Sequence, residues 1–197
     1  MFDATAIILS GGKGSRMGSV DKSRIKIDDT PIIEHLVEKL SKWFKAVIIV
    51  TCAGRTYDFP NVEVVIDTEP DFGPVMGLYC GIKASANEFN FVMACDMPWP
   101  NEKIIALLLN QIGDHQAAMA QINGKYQSLM ALYRKEIEAS LLARVSARQH
   151  RLIDFLDHLD IALITEAEIK AIDPLMQVFT NLNTMADLAT ARKHKPS

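Results

Sequence analysis

From Leu9 to Lys22 the chain reads Leu-Ser-Gly-Gly-Lys-Gly-Ser-Arg-Met-Gly-Ser-Val-Asp-Lys, with four glycines in the eight positions Gly11 to Gly18. Glycine lets a backbone turn sharply and approach a ligand closely. Successive N–H groups in such a turn can converge on an anion. Lys13, Arg16, Lys22, Arg24 and Lys26 crowd the stretch from Ser10 to Lys26 against the single acid Asp21, although the whole chain carries a net charge of −3. A planar guanidinium such as Arg16 grips phosphate oxygens in pairs, and an ammonium such as Lys22 acts on them as a point charge. Nucleotide phosphate is the ligand this combination suits. The commoner phosphate loops do not fit. A Walker A loop needs Ser or Thr after Gly-Lys, and Gly14 follows Lys13. The dinucleotide fingerprint needs a third glycine where Met17 stands, and the second apolar run ends at Thr51-Cys52 without a ribose-binding acid.

Two acids stand directly after apolar runs. Asp96 follows Ala94-Cys95 and precedes Met97-Pro98, and Asp67 closes Val65-Ile66-Asp67. Magnesium takes hard oxygen ligands, usually one or two carboxylates completed by phosphate oxygens and water, so a single well-placed aspartate suffices. The simpler alternative for Asp96 is a strand-end residue capping the next turn. Gly73 and Gly77, in Phe72-Gly73-Pro74-Val75-Met76-Gly77-Leu78, are explained as a turn and a close-packed helix start. Asn183 and Thr184, in Asn181-Leu182-Asn183-Thr184, suit the cap of a last helix.

These residues need strands to hold them. Ala4–Ser10, Ala46–Thr51, Val62–Ile66 and Phe91–Cys95 are short apolar runs without consistent polar alternation, as in strands buried on both faces. Helical patterns lie between them. Thr30 is expected to cap a helix with Pro31 in its first turn and Ile33, Leu36, Val37 and Leu40 on one face. Pro74–Asn87 reads as a second helix, and Asn101 caps a third through Ile104, Ile105 and Leu108. Further on, Ala117–Gln121 and Leu129–Tyr133 read as strands around the turn Asn123-Gly124. Arg134–Val145, Leu152–His158 and Thr184–Arg192 read as helices, with Lys193–Ser197 a frayed tail. The alternation predicts an α/β fold: three layers, Rossmann-like, with a mostly parallel mixed sheet, as one domain over residues 1–197.

The 197 residues, 49% hydrophobic and 23% charged, are ordinary for a globular chain. The acidic balance argues against nucleic acid as a partner. Met1-Phe2-Asp3 enters an apolar run without a basic region, so no secretory signal is expected; no apolar stretch is long enough for a bilayer, and the cytoplasm is the expected location. Cys52, Cys80 and Cys95 lack metal-ligand spacing and are expected as free thiols. His35, His115, His158 and His194 suggest no catalytic dyad. Neither a Ser-His-Asp arrangement nor a paired-carboxylate hydrolase site can be argued.

The sequence Leu9-Ser10-Gly11-Gly12, Arg16-Met17-Gly18, Asp21-Lys22 resembles the signature of the molybdenum cofactor guanylyltransferase family, usually Leu-Ala-Gly-Gly-x-x-x-Arg-Met-Gly-x-x-Asp-Lys. Cys95-Asp96-Met97-Pro98 is similar to its Cys-Asp-x-Pro, Gly73–Gly77 to its Gly-Pro-Leu-x-Gly, and Asn181–Leu188 to its Asn-x-Asn-Thr-x-x-Asp-Leu. The resemblance implies a magnesium-dependent transfer of GMP from GTP to the terminal phosphate of molybdopterin. It implies GTP contacts at Leu9, Ser10, Gly11, Gly12, Lys22, Asp67 and Asp96, magnesium on Asp96, and catalytic roles for Arg16, Lys22 and Asp96. Gly73, Gly77, Asn181 and Asn183 fall on the acceptor side. Other molybdenum cofactor proteins and molybdoenzymes are the implied partners. Four places depart from the pattern. Ser10 stands for alanine, and Tyr126-Gln127-Ser128 for a His-Pro segment. Gln149-His150-Arg151 stands where the family has Gly-x-Arg-Arg, with a histidine for one basic residue, and Thr51-Cys52-Ala53-Gly54 lacks a guanine-side asparagine. Rival readings are a nucleotidyltransferase using CTP, ATP or a sugar phosphate, and a non-catalytic nucleotide-binding module.

Overall fold

The unbroken apolar run at the N-terminus becomes β1 (Phe2–Leu9), and it is buried on both sides. Ala4, Ala6 and Ile8 pack into one core, and Ile7 and Leu9 into another on the opposite face. The computed structural model describes residues 1–11, 25–27 and 29–182. Along these residues follow β2 (Lys26–Ile27), β3 (Thr30–Pro31), α1 (Ile32–Trp43), β4 (Phe44–Cys52), β5 (Val62–Asp67), α2 (Pro74–Ala84), β6 (Phe89–Ala94), α3 (Glu102–Gln111), β7 (Ala117–Ile122), β8 (Lys125–Arg134), α4 (Glu138–Ser146), α5 (Leu152–Leu156), β9 (Ile161–Ile164) and α6 (Glu166–Ile172).

Seven strands form one sheet in the order β5-β4-β1-β6-β8-β7-β9. β5, β4, β1 and β6 are mutually parallel, β8 runs antiparallel to both β6 and β7, and β9 is parallel to β7. The sheet is therefore mixed with one inverted strand. The buried faces of α1 and α3, with Ile169 of α6, cover one side, and those of α2, α4 and α5 cover the other. This is the expected three-layer architecture. The chain leaves β1 toward β4 through α1 and returns across β1 to β6 through α2, which lies on the opposite face. The carboxyl ends of β1 and β6 thus meet where the strand order reverses, the place where open α/β sheets bind ligands.

Several boundaries differ from expectation. Thr30 does not cap α1: it pairs with Ile27 in a two-stranded hairpin, and Pro31 holds the N-cap position without a side-chain bond. The second helix stops at Ala84 rather than Asn87. Ser85 is extended, and its hydroxyl donates to Thr5 Oγ1 (2.7 Å), which also accepts from Asn87 Nδ2 (2.9 Å). Arg134 ends β8 instead of opening a helix, because its guanidinium is held by Glu88 and by the carbonyls of Gly113 and His115. β9 and α6 are additional elements. Asn101 does cap α3, its side chain accepting from the N–H groups of Lys103 and Ile104. Asn123 and Gly124 take the positive φ values, 49° and 73°, that a tight hairpin turn requires. Residues 184–197, expected as a helix and tail, lie outside the described residues.

Candidate functional site

The site begins where the four parallel strands end. Past β1, the Ser10 N–H donates to the Val50 carbonyl of β4 (2.8 Å). Past β6, the Cys95 N–H donates to the Leu9 carbonyl (3.0 Å). These two bonds extend the sheet by one residue and set Asp96, half-buried, beside the start of the glycine-rich loop. The Asp96 carbonyl accepts from the Leu182 N–H (2.8 Å), and Leu182 is fully buried. The C-terminal segment therefore returns to this edge and brings exposed Asn181 next to Asp96.

Asp67, at the carboxyl end of β5, is 4% exposed. Its Oδ1 accepts from the Glu69 N–H (2.8 Å), and its Oδ2 lies 3.9 Å from where a Cβ on Gly11 would stand. Leu9, Ser10, Gly11, Asp67 and Asp96 thus converge on one sheet edge. Burial is the main influence on Asp67 and pushes its carboxyl pKa up, against the lowering effect of the Glu69 N–H. Burial likewise pushes the Cys80 thiol up, aided by the negative charge of Asp67. Gly77 is buried in the first turn of α2, with Leu9 Cδ2 3.5 Å from its hypothetical Cβ. Gly73 turns the chain into α2 with φ of 89°, and its hypothetical Cβ would lie 3.8 Å from the His150 carbonyl. Gly12, Arg16, Lys22 and Asn183 lie outside the described residues.

Two groups escaped the sequence reading. In the loop between β4 and β5, the Arg55 guanidinium donates to the Ser10 carbonyl (2.5 Å), and the Tyr57 hydroxyl bonds the Ser10 hydroxyl (2.7 Å). The signal available was Ser10 itself, a buried hydroxyl that had to find a partner. The second group lies beyond Asp67. Thr68, Glu69, Asp71, Phe72, Arg148 and His150 line a cavity of about 410 Å³. Arg148 pairs with Glu69, and its guanidinium stands 5.2 Å from the centroid of the Phe72 ring, which also meets His150 edge-on. Arg148 just follows α4 with φ of 58°, in the left-handed region. That conformation costs a residue with a Cβ roughly 1–2 kcal/mol.

His115 has an acidic partner on the surface: its Nδ1 lies 2.8 Å from Asp160. The pair is exposed and precedes β7 and β9, at the amino edge of the sheet, so it takes no part in this site. For a metal, the described residues hold no cluster of three or more His, Cys, Asp or Glu side chains. The carboxylate of Asp96 at a phosphate-suited edge nonetheless fits magnesium, which substrate phosphates and water can complete.

The chain matches a family model described as the MobA-like NTP transferase domain over residues 6–162. It is 30% identical over 200 residues to a protein of Methanosarcina acetivorans named probable molybdenum cofactor guanylyltransferase, covering 93% of this chain and 88% of that one. A protein of Peptoclostridium acidaminophilum with the same name is 31% identical, covering 93% and 86%. Among solved structures, molybdopterin-guanine dinucleotide biosynthesis protein A from Archaeoglobus fulgidus superposes with a TM-score of 0.81 at 20% identity, covering 96% of this chain and 97% of that one. The 4-diphosphocytidyl-2C-methyl-D-erythritol synthase of Anaerococcus prevotii superposes with a TM-score of 0.70 at 14% identity, covering 97% and 95%. By the span of the family match and the full-length likeness to these relatives, the chain belongs to the MobA-like NTP transferase family.

Proposed function

We propose that this protein transfers GMP from GTP to the terminal phosphate of molybdopterin, with magnesium, and releases pyrophosphate. The observation that carries the reading is the meeting of Asp96 and Asp67 with Leu9–Gly11 at the carboxyl ends of β1, β5 and β6. The names of the relatives supply the nucleotide and the acceptor.

In this reading an oxygen of the acceptor phosphate attacks the α-phosphorus of GTP. The bond from that phosphorus to the β-phosphate oxygen breaks on the opposite side. The acceptor oxygen is already ionised at neutral pH, so no general base is required, and the protein contributes position and charge. Main-chain groups of Leu9, Ser10, Gly11 and Gly12 hold the nucleotide against the sheet edge. Arg16 and Lys22 balance the charge on the α-phosphate and the leaving pyrophosphate. Asp96 would hold magnesium, which when bound neutralises phosphate oxygens there. Asn181, brought to the same edge by the Leu182 bond, faces the acceptor, as do Gly73 and Gly77 at the start of α2, and Asn183 shares that role. The product passes to other molybdenum cofactor proteins and molybdoenzymes. No helix among the described residues is long and apolar enough to cross a membrane.

The test is pyrophosphate release on mixing the protein with GTP, magnesium and molybdopterin, with melting temperatures measured across GTP, CTP and ATP. A nucleotide at 100 times its Kd should stabilise the fold by ~2.7 kcal/mol. Stabilisation by GTP together with acceptor-dependent release is expected. A cytidylyl reading has its own support in the structural likeness to the Anaerococcus prevotii synthase. Stabilisation by CTP and not GTP would replace the first reading with this one. Binding without release would leave a nucleotide-binding module.

A further inference from the structure

The segment between β4 and β5 alternates in burial with a period of two. Arg55, Tyr57 and Phe59 are half-buried, whereas Gly54, Thr56, Asp58 and Pro60 are exposed. An extended chain turns alternate side chains to one side, so these three face the protein as a set. The Tyr57 and Phe59 rings stack with centroids 6.3 Å apart, and both pack on the core that holds Ala4, Ala6 and Ile8. From that footing the segment reaches Ser10 twice. Arg55 donates to its carbonyl (2.5 Å), and the Tyr57 hydroxyl bonds its hydroxyl (2.7 Å). The Ser10 N–H is on the Val50 carbonyl, so each polar group of this fully buried residue has a protein partner. Ser10 is the last residue before the glycine-rich run. Glycine main chain has wide freedom, so where that run starts out depends on how firmly Ser10 is fixed. The other face is gripped as well, with Leu9 against Gly77 and Asp67 beside Gly11.

We propose that Tyr57, with Arg55 beside it, is a positioning residue for the nucleotide. It locks Ser10 against β4, so that the main chain entering the glycine-rich run is set before the nucleotide arrives. The proposal rests on the nucleotide reading given above. Tyr57 acts through Ser10 and not on the reacting phosphates, so its loss lowers the fraction of molecules ready to bind. Apparent affinity falls with that fraction. The chemical step of the molecules that do bind is untouched, which leaves kcat in place while KM rises. Thr51 stands beside this lock as an unbonded counterpart. Leu9 pairs with Val50, so Ser10 lies level with Thr51, and alternation puts both on the face of Ile8 and Ile49. The Thr51 hydroxyl is buried and has no hydrogen-bond partner among the described residues.

The experiment compares the wild type with Tyr57→Phe, Ser10→Ala, the double variant and Thr51→Val. The Kd for GTP is read from the shift in melting temperature, and KM and kcat from pyrophosphate release. Tyr57→Phe keeps the ring and its packing. One net hydrogen bond corresponds to about fivefold. Tyr57→Phe should therefore raise both Kd and KM for GTP by about fivefold, with kcat within twofold. Ser10→Ala should do the same, and the double variant no more than either, because both remove one bond. Thr51→Val loses only an unsatisfied hydroxyl, so it should melt at or above the wild-type temperature and bind GTP as the wild type does. An unchanged Kd in Tyr57→Phe would overturn the proposal. So would rises that multiply in the double variant, a fall in kcat at constant KM, or an equal rise in Thr51→Val. If the wild type binds no nucleotide, the nucleotide reading itself fails. Hydrogen exchange at the Ser10 amide then tests the lock alone. Exchange about fivefold faster in Tyr57→Phe supports the positioning of Ser10 by Tyr57, and equal exchange overturns it.

Discussion

Asp67 is the residue where the fold and the proposed function pull against each other. Its carboxyl is buried and its pKa is raised above the ordinary carboxylate value, so the folded state binds its proton more readily than the unfolded chain does. Stability contributed by the protonated form is therefore present in acid and is lost as pH rises through the raised pKa. Asp67→Asn should melt higher than wild type at pH 7, with the gain shrinking as the pH falls below the usual carboxylate range; melting temperatures at pH 4 and pH 7 check this. An equal gain at both pH values would mean that the ionised carboxylate carries no penalty. In the proposed function Asp96 acts through charge rather than stability. Asp96→Ala and Lys22→Ala should each lose ~10²–10³-fold in turnover with the melting temperature unchanged, and wild-type turnover in Asp96→Ala would remove the metal assignment. Both aspartates were legible in the sequence because each directly follows an apolar run, and strand ends are where such folds keep their chemistry. Arg55, Tyr57, Glu69 and Arg148 were not legible. They reach the site through loops and a helix end whose return depends on contacts far apart in sequence, such as that between Glu69 and Arg148, 79 positions apart.

At the scale of elements, β1, β4 and β6 could be read from their composition alone, since a strand buried on both faces has few polar positions to confuse it. β9 was missed because Ile161–Ile164 is an edge strand of only four residues, too short a run for periodicity to distinguish strand from helix. Its neighbour α6 did carry a readable start, the capping box of Thr165 and Glu168. The start of α1 was misread because Thr30 has a second use in pairing with Ile27, which no local pattern announces. The packing of α2 on the sheet turns on Gly81. A Cβ there would stand 2.5 Å from Ile7 Cγ2 and 3.2 Å from Val50 Cγ2. The contact is to β-branched side chains of central strands, which have little room to rotate away. Gly81→Ala should therefore destabilise the fold by about 1–3 kcal/mol, the usual cost of overpacking, read as a lower denaturant midpoint. An unchanged midpoint would show that the helix moves away freely.

Across the whole molecule, the three-layer plan was legible from the alternation of patterns, but the sense of each strand was not, because burial does not record direction. The inverted strand β8 makes the sheet mixed. It also carries the turn at Asn123 and Gly124 to the same edge as Asp96, since β7 arrives there and β8 departs from it. Tyr126, Gln127 and Ser128 sit just past that turn, before the Met130–Met93 pairing. Replacing these three residues should alter the KM for the acceptor and leave GTP-dependent stabilisation as it was; a loss of both would show that the two halves of the sheet are not independent. Such a layout bears on how the family diversifies. In the proposed function β5, β4, β1 and β6 carry the nucleotide edge and must keep their register, whereas the β7–β8 hairpin can lengthen, shorten or change its residues at an exposed tip. Lineages could then explore new acceptors through one short insertion-tolerant segment, inheriting the nucleotide chemistry intact.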